Sequence, residues 1–254
     1  MTDETKAKKV AVVTGAGSGI GRLVSLGLVA NGYRVVLAAR SLDALERVAQ
    51  EGGRPDDVLV VPTDVTDPAA VDNLVKQGVA WAGRVDLLFN NAGTFSGSTP
   101  IDEVESGDWR KMIDVNLTGA FYAAQAAFRQ MKVQRPSGGR IINNGSISAQ
   151  VPRPHAIAYT ASKHAITGLT KGISLEGRNF GIACGQIDIG NAATSMTAGM
   201  VTGMLQADGS LRSEPRMDAS NVVNAVLFMD HMPLEANAQF LTLTATNMPY
   251  IGRG

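Results

Sequence analysis

The sequence predicts a single-domain, doubly wound α/β fold: a parallel sheet of about seven strands with helices on both faces. Three observations predict it. Short apolar runs alternate with helical stretches from end to end. The runs are continuously apolar, as expected for strands buried on both faces. Hairpin signals do not cluster between them, which leaves right-handed crossovers and parallel pairing.

Each element has its own support in the residues. Val10 to Thr14 is a short β-branched run and gives the first strand. Ile20 to Ala30 has helical apolar spacing, and Arg34 to Ala39 is apolar again, a second strand. Leu42 to Gln50 reads as a helix, Val58 to Val61 as a strand and Pro68 to Ala82 as a helix. Val85 to Phe89 is a strand ending at Asn90. One long helix is expected from about Ile113 to Met131, then a strand over Arg140 to Asn144. A helix over about Ala156 to Arg178, a strand over Ile182 to Ile187, a helix over about Ala219 to Asp230 and a strand over Phe240 to Thr246 complete the chain. No internal repeat or linker-like shift breaks the pattern, so residues 10–254 read as one domain behind a flexible tail, 1–9. Asn191 to Pro215 is the one long insertion, and loops of that length are usually functional or mobile.

Composition narrows the function. Twenty-three basic residues balance twenty-three acidic ones, so nothing points to nucleic acid or a membrane surface. The N-terminus lacks a signal-peptide core, and the uncharged stretch from Ile189 to Ala207 is too polar to span a membrane; a cytoplasmic location is expected. Cys184 is a single cysteine in an apolar stretch, read as core. His155, His164 and His231 have no metal-ligand spacing, so no metal site is expected.

The turn Thr14-Gly15-Ala16-Gly17-Ser18-Gly19-Ile20-Gly21 follows the first strand and opens the first helix. Glycines there let a backbone approach a pyrophosphate, and a helix N-terminus offers free N–H groups and a positive dipole end. This makes the fold Rossmann-like. The spacing is T-G-x-x-x-G-x-G rather than the generic G-x-G-x-x-G. The second strand ends at Arg40-Ser41, with no carboxylate before Asp43. A guanidinium at Arg40 can pair with a ribose 2′-phosphate, which favours NADP(H) over the still possible NAD(H); the alternative is a solvated strand-end charge.

Tyr159 and Lys163 stand one helical turn apart, and Ser146 follows the strand ending at Asn144. An ammonium beside a phenol favours its charged form and is expected to lower its pKa, allowing proton transfer near neutral pH. Taken alone, Tyr-x-x-x-Lys is also a common surface pattern. Among the four tyrosines only Tyr159 has a lysine four residues on.

Together these segments resemble the short-chain dehydrogenase/reductase family over nearly the whole chain. The resemblance rests on Thr14 to Gly21, Asp64-Val65, Asn90-Asn91-Ala92-Gly93, Asn116 in V-N-L-T-G, Ser146 and the Tyr159/Lys163 pair. It implies hydride transfer between a nicotinamide and a small ketone or secondary alcohol. Tyr159 would be the general acid or base and Ser146 would bind the substrate oxygen. Lys163 would bind the nicotinamide ribose, and Asn116 would hold a relay water. Asp64 and Val65 would meet the adenine, and Asn90 to Gly93, with Asn91, Ala92 and Gly93 as the cofactor contacts, would pass beneath the adenosine half and support the sheet. Gly190 and Thr194 fit the family's next segment, but Ile189 replaces its usual proline, which frees a φ and restores an N–H. Thr194 can still reach the carboxamide. Asp188 before it is read as a loop cap or a polar group facing the cofactor.

The resemblance also implies a homo-oligomer, commonly a tetramer, with the apolar Met248-Pro249-Tyr250-Ile251-Gly252 tail as one packing surface. Met196, Met200 and Met204 would form one stripe on a helix, either a lid or a surface helix. Gln150, Val151, Arg153 and His155 could also line the pocket. The competing function is a catalytically silent dinucleotide-binding regulator of the same fold.

Overall fold

The apolar runs satisfy their backbone polar groups by pairing with one another. The structure, a computed structural model, describes residues 8–251. Strand β1 (Val10–Thr14) is flanked by β2 (Arg34–Ala39), which carries β3 (Val58–Pro62) on its outer side. On the other side of β1 lie β4 (Leu87–Asn90), β5 (Gly139–Asn144), β6 (Ile182–Ile189) and β7 (Phe240–Leu243). The seven-stranded sheet is parallel throughout, in the order β3-β2-β1-β4-β5-β6-β7. The order reverses between β1 and β4, and in such sheets ligands bind at that reversal, beyond the carboxyl ends of the strands.

Helices α1 (Gly19–Ala30), α2 (Leu42–Glu51), α3 (Pro68–Ala82), α4 (Ser106–Ile113), α5 (Gly119–Val133), α6 (Ile157–Gly177) and α7 (Ser220–His231) connect the strands. Strand alternation divides the core. Ala11, Val13, Val35, Leu37 and Phe89 pack with Leu28, Val222 and Val226 of α1 and α7. Val12, Val36, Ala38, Leu88 and Ile141 pack with Leu74, Ala123 and Met131 of α3 and α5. The local signals are explicit in α3: Asp67 caps Ala69 N–H at 2.8 Å, Pro68 opens the helix, and Gly83 ends it at φ 83°.

Four expectations change. The long helix expected from about Ile113 to Met131 forms, but its helical path begins earlier, at Ser106, and a π turn over Asp114–Thr118 interrupts the α pattern between α4 and α5. Helix α4 buries only Met112, so it carries no apolar periodicity to read. The methionine helix does not form. A 3₁₀ turn, Ala198–Val201, is followed by a short antiparallel pairing of Met204–Leu205 with Leu211–Arg212. Gly199, Gly203 and Gly209 within that segment weaken any helix. The apolar tail folds inward in part, since Met248 is buried against Ile147 and Ala245. Gly252 and residues 1–7 lie outside the described residues, while Lys8 and Lys9 pair with Asp57 and Asp230 rather than fraying. Among the described residues no helix is long and apolar enough to cross a membrane.

Candidate active site

A cavity of about 1470 Å³ opens at the carboxyl ends of the central strands, lined by the turns after β1, β4, β5 and β6. A usual single-ligand pocket holds roughly 300–1,000 Å³. The excess leaves room for a cofactor and a substrate together.

The glycine turn forms one end, where Gly15, Gly17, Ser18, Gly19 and Ile20 line the wall. Gly15 has φ 66°, and a side chain there would meet Asn91 Nδ2 at 2.9 Å. Gly21 stands behind it, where a Cβ would fall 2.1 Å from Gly15 O. Ser18 is the N-cap of α1, yet it caps no backbone N–H, and the first turn holds no acidic residue. The helix therefore presents uncapped N–H groups to the cavity, and this donor set fits a pyrophosphate. The Thr14 hydroxyl accepts from the N–H groups of Asn91 and Ala92 at 2.9 and 3.0 Å, and Asn91 Nδ2 donates to Thr14 O at 2.9 Å. Thr14 thus locks the Asn91 to Gly93 wall to β1. The motif contains Thr14, but nothing in its spacing announces that anchoring role.

Arg40, Asp64 and Val65 also line this end. Arg40 is exposed and, among the described residues, enters no ion pair. Asp64 Oδ1 accepts from Thr66 N and Oγ1 at 2.9 and 2.8 Å, and these bonds, the backbone one first, hold its carboxyl below the ordinary value. Ser41 serves as the N-cap of α2, accepting from Ala44 N at 3.3 Å.

Ser146, Tyr159 and Lys163 meet at the cavity's middle. Ser146 begins a short 3₁₀ turn and accepts from Ser148 N at 3.1 Å. Tyr159 and Lys163 come from the first turns of α6, and Phe95 packs edge-on against the Tyr159 ring at 5.4 Å. Lys163 is buried; its Nζ lies 5.6 Å from the Tyr159 ring centre and donates to Asn144 O at 2.7 Å. The expected depression of the phenol does not occur in the protein alone. Burial raises the Tyr159 pKa above 10, a hydrogen bond from Ser146 and the charge of Arg153 pull it down, and Asp188 raises it. The same burial pushes Lys163 down to about 8, against the raising influence of Asp188. The desolvation that encloses the site outweighs the neighbouring charge for both groups.

Asn116, Gly21 and Gly190 stand behind the wall rather than on it. Asn116 lies in the π turn, where its Oδ1 accepts from Thr94 N at 2.7 Å and its Nδ2 faces Thr94 O, Met112 Sδ and Ser162 Oγ. Its amide pins the loop after β4 and does not reach Lys163. Gly190 is backed by Met248 and Ile147, whose atoms a Cβ would meet at 2.8 and 3.2 Å.

Thr194, Met196, Met200 and Met204 line the remaining wall. Of the residues between Ser146 and Tyr159 that were expected there, Arg153 lines the cavity, whereas Gln150, Val151 and His155 do not. Arg153 is engaged by the protein's own side chains. Its guanidinium holds Glu214 at 2.7 and 2.9 Å and Asn191 Oδ1 at 3.0 Å, with the Glu214 side chain fully buried. Arg153 and Glu214 are 61 residues apart, so sequence spacing gives no sign of the pair.

A doubly wound sheet with an uncapped glycine turn and an enclosed Ser–Tyr–Lys group defines a dinucleotide-dependent oxidoreductase. Comparison with known proteins agrees. The short chain dehydrogenase family profile matches residues 9–204. The chain is 36% identical to the uncharacterized oxidoreductase SA2266 of Staphylococcus aureus over 235 residues, covering 92% of this chain and 96% of that one. Actinorhodin polyketide ketoreductase, solved as a variant with NADPH, superposes with a TM-score of 0.84 at 27% identity, covering 93% and 96% of the two chains. The fold also matches 3-ketoacyl-(acyl-carrier-protein) reductase from Brucella melitensis, solved with NADH, with a TM-score of 0.84 at 24% identity over 95% and 99%. The chain belongs to the short chain dehydrogenase family and is an NAD(P)-dependent oxidoreductase.

Proposed function

We propose that the enzyme interconverts a ketone and a secondary alcohol, with Tyr159 as general acid and base. The observation that carries this reading is the convergence of Ser146, Tyr159 and Lys163 on the wall of the cavity that also holds the glycine turn. The bound dinucleotide supplies or accepts the hydride. Ser146 and Tyr159 hydrogen-bond the reacting oxygen between them. A phenol held above its ordinary pKa is protonated at neutral pH, which suits the acid of carbonyl reduction. Lys163, buried beside Tyr159, holds ribose hydroxyls and stabilises negative charge on the phenol as its proton leaves. The side-chain amide of Asn116 is engaged with Thr94, Met112 and Ser162, which supports a part for Asn116 in holding the loop after β4 beside the site.

The exposed guanidinium of Arg40 at the rim and the absence of a carboxylate at the end of β2 support NADP(H). Asp64, Val65 and the Asn91 to Gly93 turn support the adenosine half, and Thr194 the carboxamide. Phe95, Ile147 and the three methionines give the substrate side an apolar wall that suits a small neutral carbonyl compound. Exposed Trp109, Phe121 and Leu175 support burial against further copies, as in a tetramer. The test is a titration with NADPH and NADH, followed by a ketone and alcohol panel with the tighter cofactor. Turnover is expected; tight cofactor binding with no turnover across the panel would favour a silent regulator.

A further inference from the structure

Asp188 departs from the family pattern, and its surroundings give it a task. It lies near the end of β6, buried to 1% exposure. Its Oδ1 accepts from the backbone N–H of Ser146 at 3.0 Å and from Gln186 Nε2 at 2.7 Å. Its Oδ2 accepts from Gln150 Nε2 at 3.0 Å. All three partners are donors, which suits an ionised carboxylate, a group that only accepts. Among the described residues it enters no ion pair.

The carboxylate also sets the residue before Ser146. A Cβ on Gly145 would fall 2.1 Å from Asp188 Oδ1, so the close approach requires glycine there. Gln186 is itself held, through Thr170 and Asn143, to Asn90 on β4. A continuous buried row of side chains thus runs across the sheet and ends on the Ser146 backbone. On the other side, Gln150 Oε1 accepts from Tyr250 OH at 2.7 Å.

The same corner of the site holds Lys163. Lys163 is buried and turned toward Asn144 O, two residues before Ser146. The ionisable groups around this corner are Asp188 from β6, Tyr159 on the same helix as Lys163, Arg153 with Glu214 from the loops, and Tyr250 from the C-terminal segment. Of these, Asp188 is the one whose charge favours the ammonium of Lys163 against burial.

We propose that Asp188 is a positioning residue of this site: it fixes the Ser146 backbone and supplies the buried negative charge that keeps Lys163 an ammonium. The kinetic part rests on the hydride-transfer reading above; the electrostatic part stands apart from it. The test uses the full chain carrying ¹³C at lysine Cε, with Lys163→Arg to assign the resonance. Wild-type Lys163 is expected to titrate near 8. In Asp188→Asn, losing the anion favours the neutral amine, so the midpoint should fall by about one unit or more. Turnover at neutral pH should drop about twofold for a one-unit shift and about tenfold for a two-unit shift, as the ammonium fraction falls, with a pH limb that tracks the new midpoint. Should the Asn variant not fold, Asp188→Ser, smaller and also uncharged, carries the same expectation. A Lys163 midpoint within about 0.2 unit of wild type in the folded variant would overturn the proposal. Failure of the wild type to turn over any carbonyl would sink the reaction assignment, while the lysine titration would still decide the role of Asp188.

Discussion

The buried pair of Arg153 and Glu214 ties the 191–215 segment to the loop between Ser146 and Tyr159, and removing one partner tests whether it holds the site together. Glu214 is 1% exposed and accepts from Arg153, Asn191 at 2.8 Å and Gln206 at 3.0 Å. Burial alone would raise its carboxyl, yet the hydrogen bonds from Arg153, Gln206 and Asn191, with the charge of Arg153, hold it down to about 2 from 4.5. At about 1.4 kcal/mol per unit this corresponds to ~3 kcal/mol of folding stability. The folded value is depressed, so the contribution is complete above about 4.5 and is lost as pH falls toward 2. Breaking a buried pair by removing one partner typically costs about 3–5 kcal/mol, which agrees. Glu214→Gln should therefore lose ~3 kcal/mol in urea denaturation at neutral pH, or roughly 6–12 °C in Tm for a chain of this size. The deficit should shrink as the wild type is acidified through the range where its own Glu214 protonates. A loss under about 1 kcal/mol at neutral pH, or a deficit constant down to about pH 3, would show that the Arg153–Glu214 pair does not stabilise the fold.

Two further outcomes follow from the cofactor end. Arg40→Ala should weaken NADPH by about 10–100-fold, the worth of a hydrogen bond to a charged group, and leave NADH nearly unchanged in a fluorescence titration. Equal losses for both cofactors would show that Arg40 does not meet a 2′-phosphate. In Gly21→Ala the new Cβ would fall 2.1 Å from Gly15 O, so the turn must move. Such overpacking typically costs about 1–3 kcal/mol, and it should appear both in urea denaturation and as at least about tenfold weaker dinucleotide binding. Wild-type values in both would mean that the turn tolerates the shift.

Much of this arrangement was legible in the sequence where local chemistry dictates it. The β-branched runs, the glycine turn and the i,i+4 placement of Tyr159 and Lys163 are short-range patterns, and the structure keeps all of them. What escaped depends on distance in the chain or on burial. The π turn between α4 and α5 carries Asn116, whose amide binds Thr94, 22 residues away. The methionine spacing suggested a helix, but glycines and the Leu205 to Leu211 pairing win. The direction of the Tyr159 shift depends on how deeply the site is enclosed, which no spacing reveals. Asp188 reads from sequence as a loop cap or a polar group facing the cofactor, while its contact with the Ser146 N–H requires β5 and β6 to lie side by side.

In the proposed reaction Tyr159 moves the proton while the cofactor carries the hydride. The direct measurement is steady-state turnover of Tyr159→Phe on a ketone accepted by the wild type, with cofactor affinity measured on the same preparation. Phenylalanine keeps the ring packed on Phe95 and removes only the hydroxyl. The expected result is a fall in kcat of at least about 100-fold with cofactor affinity retained, because one acid–base group contributes about 10²–10⁴-fold. Near-wild-type turnover in that variant would contradict the assignment.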